Sequence, residues 1–241
     1  MAVYAVSDLH GNGSLWNAIK EFLKPEDILY ILGDCGDRGP DGWSIICDAL
    51  EMDNVFYLMG NHEQMLYDTL MEQLKPEEER DFLEKSRLFY NGGKKTYNDA
   101  YKNGFHNKLN KLGLLPYWEI YINSQDIKII LTHAGFTPTA DKNYFPSHED
   151  LIWDRDHFWD EWDEENNSNV VCVHGHSPVL YLASELIVKV EEPGALWYCN
   201  NHKVCIDMGT YNTNIAMLLD LDTFEEHIFV EEQTANKHWI S

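Results

Sequence analysis

Short apolar runs that break into polar, glycine-bearing turns recur along the first sixty residues. Val3–Val6 runs into Ser7-Asp8-Leu9-His10-Gly11-Asn12, and Leu15, Trp16, Ile19, Phe22 and Leu23 follow at helical spacing, which predicts strand, loop and helix. Residues 28–32 run into Gly33-Asp34-Cys35-Gly36-Asp37-Arg38-Gly39-Pro40, with a helix expected over about 44–52. Residues 55–59 run into Gly60-Asn61-His62-Glu63, after which Leu66, Leu70 and Leu74 share one helical face. Residues from about 63 to 115 read as a mostly helical insertion, broken near Pro76 and at Asn91-Gly92-Gly93.

Strand character returns at 117–122 and 127–131, the second ending in Thr132-His133-Ala134-Gly135. Residues 170–173 lead to His174-Gly175-His176-Ser177-Pro178, and 204–206 and 215–221 close the pattern as strands. Strands alternating with helices define an α/β protein. Without a repeat, low-complexity tract or Pro/Ser-rich linker, residues 1–241 are expected to form a single domain.

Each of five expected strand ends delivers Asp, His or Asn: Asp8 and His10, Asp34, Asn61 and His62, His133, then His176. Taken singly, such a pair is an Asx-turn beside a satisfied loop histidine. Recurrence at the ends of buried strands, where α/β sheets place their sites, points instead to one site built from five loops. Carboxylate, imidazole and amide oxygen suit two divalent cations, and an isolated Asp such as Asp34 could bridge both through its two oxygens. Two such ions stabilise the attacking and leaving oxygens of a displacement at phosphorus.

The blocks Ser7-Asp8-Leu9-His10-Gly11, Gly33-Asp34-Cys35-Gly36-Asp37-Arg38-Gly39, Gly60-Asn61-His62-Glu63, His133-Ala134-Gly135 and Gly175-His176 resemble, in order, the motifs of calcineurin-like metallophosphoesterases. Asp37-Arg38-Gly39 and Asn61-His62-Glu63 look most like the phosphoprotein phosphatase branch, in particular its compact bacterial and bacteriophage members. Cys205-Ile206-Asp207-Met208-Gly209 and Asn91-Gly92-Gly93 resemble two further blocks of that branch. Ser7 departs from it, standing where glycine is usual, which leaves the ligands intact and weakens the link to a protein substrate. The resemblance implies two mixed β-sheets in a sandwich flanked by helices. It also implies one metal on Asp8, His10 and Asp34, and a second on Asp34, Asn61, His133 and His176. His62 then matches the general acid, Asp37 its orienting carboxylate, and Arg38 and Arg155 the phosphate clamps, with a metal-bridging hydroxide as nucleophile. Manganese is expected as the cofactor, with iron, zinc or nickel also accepted by such ligands.

Charge narrows the substrate. A net charge of −23, with 18 Lys and Arg against 41 Asp and Glu, excludes nucleic acid as an expected partner. It also requires bound cations to reverse the local sign for a phosphorylated substrate. The acidic stretches at 77–79, 160–165 and 225–232 read as solvated faces. No apolar stretch approaches a membrane span, no signal peptide opens the chain, and five scattered cysteines suit reduced thiols, so a cytoplasmic protein is expected. His174 reads as structural or supporting the site, His157 as a residue of interest only for its nearness to Arg155, and His106, His148, His202, His227 and His238 as surface or packing. Trp153, Phe158, Trp159 and Trp162 form an expected aromatic cluster, read first as core and second as a substrate groove. The leading expectation is a serine/threonine protein phosphatase-like phosphomonoesterase acting on a phosphorylated protein or small phosphoester. The alternatives are a dinucleoside polyphosphate hydrolase and a non-catalytic, metal-stabilised binding module.

Overall fold

The computed structural model describes residues 1–138 and 146–231; His238 and the end of the acidic stretch 225–232 lie outside the described residues. Two five-stranded sheets carry the architecture. In the first, β1 (Val3–Val6), β2 (Ile28–Ile31) and β3 (Val55–Tyr57) run parallel, and β9 (Ile215–Asp220) and β10 (Glu226–Val230) add antiparallel on the far side of β1. In the second, β5 (Lys128–Thr132), β6 (Val170–His174) and β8 (Lys203–Cys205) run parallel between antiparallel edges β4 (Trp118–Ile122) and β7 (Leu196–Tyr198). Both sheets are mixed and helices flank them, the architecture that the motifs implied.

Alternation along the strands explains the layering. Val3 and Ala5 on β1 face a core shared with Ile129, Leu131, Val171, Val173 and Val204 of the other sheet. Tyr4 and Val6 face the opposite way, into a second core with Leu15, Trp16 and Ile19 of α1 (Gly13–Phe22) and Ile45 and Ile46 of α2 (Gly42–Ala49). Each such fully buried aliphatic side chain contributes roughly 1.5–3 kcal/mol. Helix α1 starts where Asn12 accepts the Leu15 N–H at 3.0 Å, satisfying one orphan donor of the first turn.

Between β3 and β4 lie α3 (Asn61–Glu72), α4 (Phe82–Tyr90), α5 (Lys94–Asn103) and α6 (His106–Leu112). Past β5 come α7 (His148–Trp153), the short α8 (Glu164–Asn167), α9 (Val179–Glu185) and α10 (Thr210–Thr213). Two elements correct the sequence reading. Strand β7 was not anticipated, and most of the described part of 225–232 is the edge strand β10, hydrogen-bonded to β9, not merely a solvated face. The four aromatic residues, read first as core, are core at Phe158 and Trp162 and divide elsewhere. Phe158 packs against His174 and Tyr198 in the core, Trp162 stacks on His202, Trp159 is exposed, and Trp153 stands beside His176.

Candidate metal centre

Five parallel strands, β1, β2, β3, β5 and β6, end at one rim of the sandwich, and their following loops are laced together by backbone hydrogen bonds. Asp8, His10 and Gly11 donate their N–H groups to Gly33, Asp34 and Cys35, and Gly175 donates to His133. The fit is tight. A side chain at Gly33, which has φ +90°, would meet the backbone of Gly60 at 2.6 Å, so glycine is required for the β2 and β3 loops to touch. Asp8, His10, Asp34, Asp37, Arg38 and His176 all adopt positive φ, a concentration of left-handed backbone in non-glycine residues that marks a site held by its surroundings.

All six expected ligands are buried here and converge. Asp34 stands at the centre, with Oδ2 at 3.8 Å from His10 Nε2 and 3.5 Å from His133 Nε2. Asp8 Oδ1 lies 3.7 Å from His10 Nε2, while its Oδ2 accepts from the His176 N–H and the Ser7 hydroxyl. Asn61 Oδ1 lies 2.9 Å from His133 Nε2 and 3.2 Å from His176 Nδ1. Two groups have ligand atoms close enough for a cation, His10, Asp34 and His62 on one side and Asp34, His133 and His176 on the other. Asp34 belongs to both, but not by dividing its oxygens: Oδ1 accepts the His62 N–H, and Oδ2 alone faces both groups.

The donor set fits divalent cations on a test internal to the structure. His10 Nδ1 and His133 Nδ1 give their protons to the carbonyls of Gly36 and Leu32 at 3.1 and 2.6 Å. With Nδ1 so used, a neutral ring turns a lone pair toward Asp34, Asp8 and Asn61, and these buried acceptors need a cation, or in its absence a proton, between them. A cation resolves that arrangement, and the carbonyl partners orient the rings. Burial, then the neighbouring His62, holds His10 well below its ordinary range; burial, then His133 and Arg155, does the same for His176. Both are thus neutral imidazoles. Asp34 is pushed well above the usual carboxylate range by burial, against the pull of His62 and with repulsion from Asp8 and Glu63.

His62 stands apart from the other imidazoles. Its Nδ1 contacts Asp37 Oδ2 at 2.7 Å, and its Nε2 lies 3.8 Å from Asp34 Oδ2 and 3.3 Å from the Arg38 guanidinium. Burial alone would lower its pKa, but Asp34 and Asp37 outweigh burial and raise it. Arg155 donates from Nε to Ser177 Oγ at 2.9 Å, next to His176. His157 and His174 are buried behind the rim. His157 Nε2 bonds the Ala134 carbonyl, and His174, lowered to about 3 chiefly by burial, bonds the Tyr198 hydroxyl.

Glu63 closes the Gly60-Asn61-His62-Glu63 block, and the sequence alone assigns it no role. Its buried carboxylate accepts the N–H groups of Asp34, Cys35, Gly36 and Gly60 and the Tyr57 hydroxyl. A glutamate three residues after the glycine that precedes α3 was the available signal. Asp207 lies buried close enough to Asp8 for their charges to interact, and Thr96 accepts the Asp37 N–H at 2.9 Å. No local pattern marks Thr96, because α5 brings it in from outside the motifs.

Residues 1–212 match the family model of the calcineurin-like phosphoesterase, and the chain belongs to that family. It is 28% identical over 184 residues to the symmetrical bis(5'-nucleosyl)-tetraphosphatase of Nitrosomonas europaea, covering 67% of this chain and 64% of that protein. The chain thus spans less than two thirds of that relative. Among solved structures, the metallophosphoesterase from Sphaerobacter thermophilus superposes with a TM-score of 0.55 at 15% identity over 96% of this chain and 88% of that one. A serine/threonine phosphatase from Saccharomyces cerevisiae superposes at 0.54 with 13% identity, over 98% and 82%. No helix among the described residues is long and apolar enough to cross a membrane.

Proposed function

We propose that this chain is a two-metal hydrolase of dinucleoside polyphosphates, splitting diadenosine tetraphosphate into two ADP. Asp8, His10 and Asp34 would hold one cation, and Asp34, Asn61, His133 and His176 the other. Manganese is the metal we take first. Two such ions supply positive charge at the phosphoryl oxygens and lower the pKa of a water toward neutrality. The observation that carries the reading is the convergence of His10 Nε2 and His133 Nε2 on Asp34 Oδ2, in a chain otherwise repellent to anions.

The remaining side chains have separable tasks. His62 donates a proton to the bridging oxygen that leaves, and Asp37 keeps the ring charged and oriented. Arg38, 3.3 Å from His62 Nε2, opposes the charged ring, and Asp34 and Asp37 outweigh it. Arg38 and Arg155 present guanidinium forks to the phosphoryl oxygens. The substrate is read from similarity to the tetraphosphatase of N. europaea, which at 28% identity carries more than a shared fold.

Incubation of the purified chain with Mn²⁺ and diadenosine tetraphosphate is expected to give ADP alone. ATP plus AMP, or intact dinucleotide, would remove the reading. A second reading, a phosphomonoesterase of the protein phosphatase type, is favoured by Asp37-Arg38-Gly39 and Asn61-His62-Glu63. Release of phosphate from phosphoserine peptides, with the dinucleotide untouched, would select it.

A further inference from the structure

The chain has four arginines, Arg38, Arg80, Arg87 and Arg155. Arg38 and Arg155 are at the centre described above, and Arg80 is tied to the backbone carbonyls of Lys75 and Gln73. Arg87 is exposed and takes part in none of the ion pairs among the described residues, although its charge acts on the Asp68 carboxylate. Its guanidinium carbon lies 4.9 Å over the Trp153 ring, and that ring stands edge-on to His176 at 6.0 Å. Helix α4 is anchored to the site from the same side. Asn91 donates from its amide to the Arg87 carbonyl at 2.9 Å, and Gly92, next in the turn, accepts the Arg38 N–H at 3.1 Å.

Beside this pair opens a cavity of about 320 Å³, whose lining includes Arg87, Trp153, Tyr117, His148 and Gln64 and the two carboxylates of Asp68 and Glu149. That volume lies at the lower end of small-molecule pockets, ~300–1,000 Å³. One wall is aromatic, where Tyr117 and His148 stack at 3.9 Å with 9° between their planes. Gln64 is engaged with Tyr117 and with Asp68 Oδ1, which leaves Asp68 Oδ2 as an acceptor for an exocyclic amine. A guanidinium held over an indole still has N–H donors to offer a phosphate.

We infer that this cavity binds one nucleoside end of the substrate, and that Arg87 holds a phosphate neighbouring the one cleaved at the metals. The inference rests on the dinucleotide reading above and adds where the nucleoside half sits. Arg87 is then a specificity residue: a phosphomonoester without a second phosphate gains little from it.

The test compares wild type, Arg87→Ala and Arg87→Lys on diadenosine tetraphosphate and on p-nitrophenyl phosphate, with Mn²⁺. One lost charge-assisted contact corresponds to roughly 10- to 100-fold. For Arg87→Ala, kcat/KM on the dinucleotide is expected to fall by that factor, through KM with kcat little changed. The fall on p-nitrophenyl phosphate should be at least ~10-fold smaller, and Arg87→Lys should regain part of the loss. Equal losses on both substrates, or an unchanged KM for the dinucleotide, would overturn the inference while leaving the dinucleotide reading in place. A wild type that cleaves p-nitrophenyl phosphate and not the dinucleotide removes both.

Discussion

At the scale of single residues, the proton chemistry proposed for His62 turns on its contact with Asp37. Burial disfavours the imidazolium, and Asp34 and Asp37 more than compensate. With cations at the centre, Asp34 is neutralised by them, so Asp37 at 2.7 Å becomes the carboxylate that keeps His62 charged. A group with a raised pKa holds its proton to a higher pH and loses it as pH climbs through that value. Activity that needs the acid form therefore falls on the alkaline side. Asp37→Asn should move the alkaline limb of the kcat profile to lower pH and reduce kcat by roughly 10- to 100-fold, within the range general acids contribute. A profile that keeps its alkaline limb in place, with kcat reduced, would show that Asp37 serves only the backbone turn it occupies. A second residue-scale expectation concerns Asp34, whose raised pKa means the metal-free centre carries a proton that cations must displace. Manganese binding should release protons, measured by calorimetry in buffers of different ionisation enthalpy, and affinity should weaken as pH falls. Equal apparent enthalpies in all buffers would contradict this.

At the scale of elements, the loops after β2 and β3 are one unit because Glu63 joins them. A carboxylate accepting four backbone N–H groups and a tyrosine hydroxyl has no equal in an amide, which turns an NH₂ toward donors. Glu63→Gln should cost about 2–4 kcal/mol in urea unfolding of the chelated protein, and weaken manganese binding by roughly 10- to 100-fold. Stability and affinity equal to wild type would show that the two loops are held by the β-sheet alone. The strand ends were legible in the sequence because each apolar run stops at a polar turn, and the fold class followed from them. Strand β10 was not legible. Its residues alternate between half-buried and exposed at an open sheet edge, and its flanking glutamates, which discourage edge pairing between molecules, also hide it as a charged surface. Strand β7, three residues long, is too short for a period to register. The convergence on Asp34 was likewise legible as a list of residue types, whereas its one-oxygen geometry was not: which carboxylate oxygen the His62 N–H occupies depends on how two loops meet.

At the scale of the whole molecule, charge and chemistry oppose each other. The chain carries −23, and two divalent cations would offset only four of those charges, so on the proposed function a polyphosphate approaches a repelling body before it reaches an attracting centre. The two fields have different reach. At ~0.01 M ionic strength the Debye length is about 30 Å and the substrate senses the whole acidic surface; at ~0.15 M it is about 8 Å, and only the cations and nearby arginines remain in range. Electrostatic steering in most enzymes of charged substrates weakens with salt. Here kcat/KM for diadenosine tetraphosphate should rise between those two ionic strengths, with manganese held saturating, while kcat stays level. The experiment needs a salt whose anion does not compete at the centre. A kcat/KM that falls with salt would mean that the loaded centre focuses anions past the acidic surface, and that the net charge has no part in controlling access.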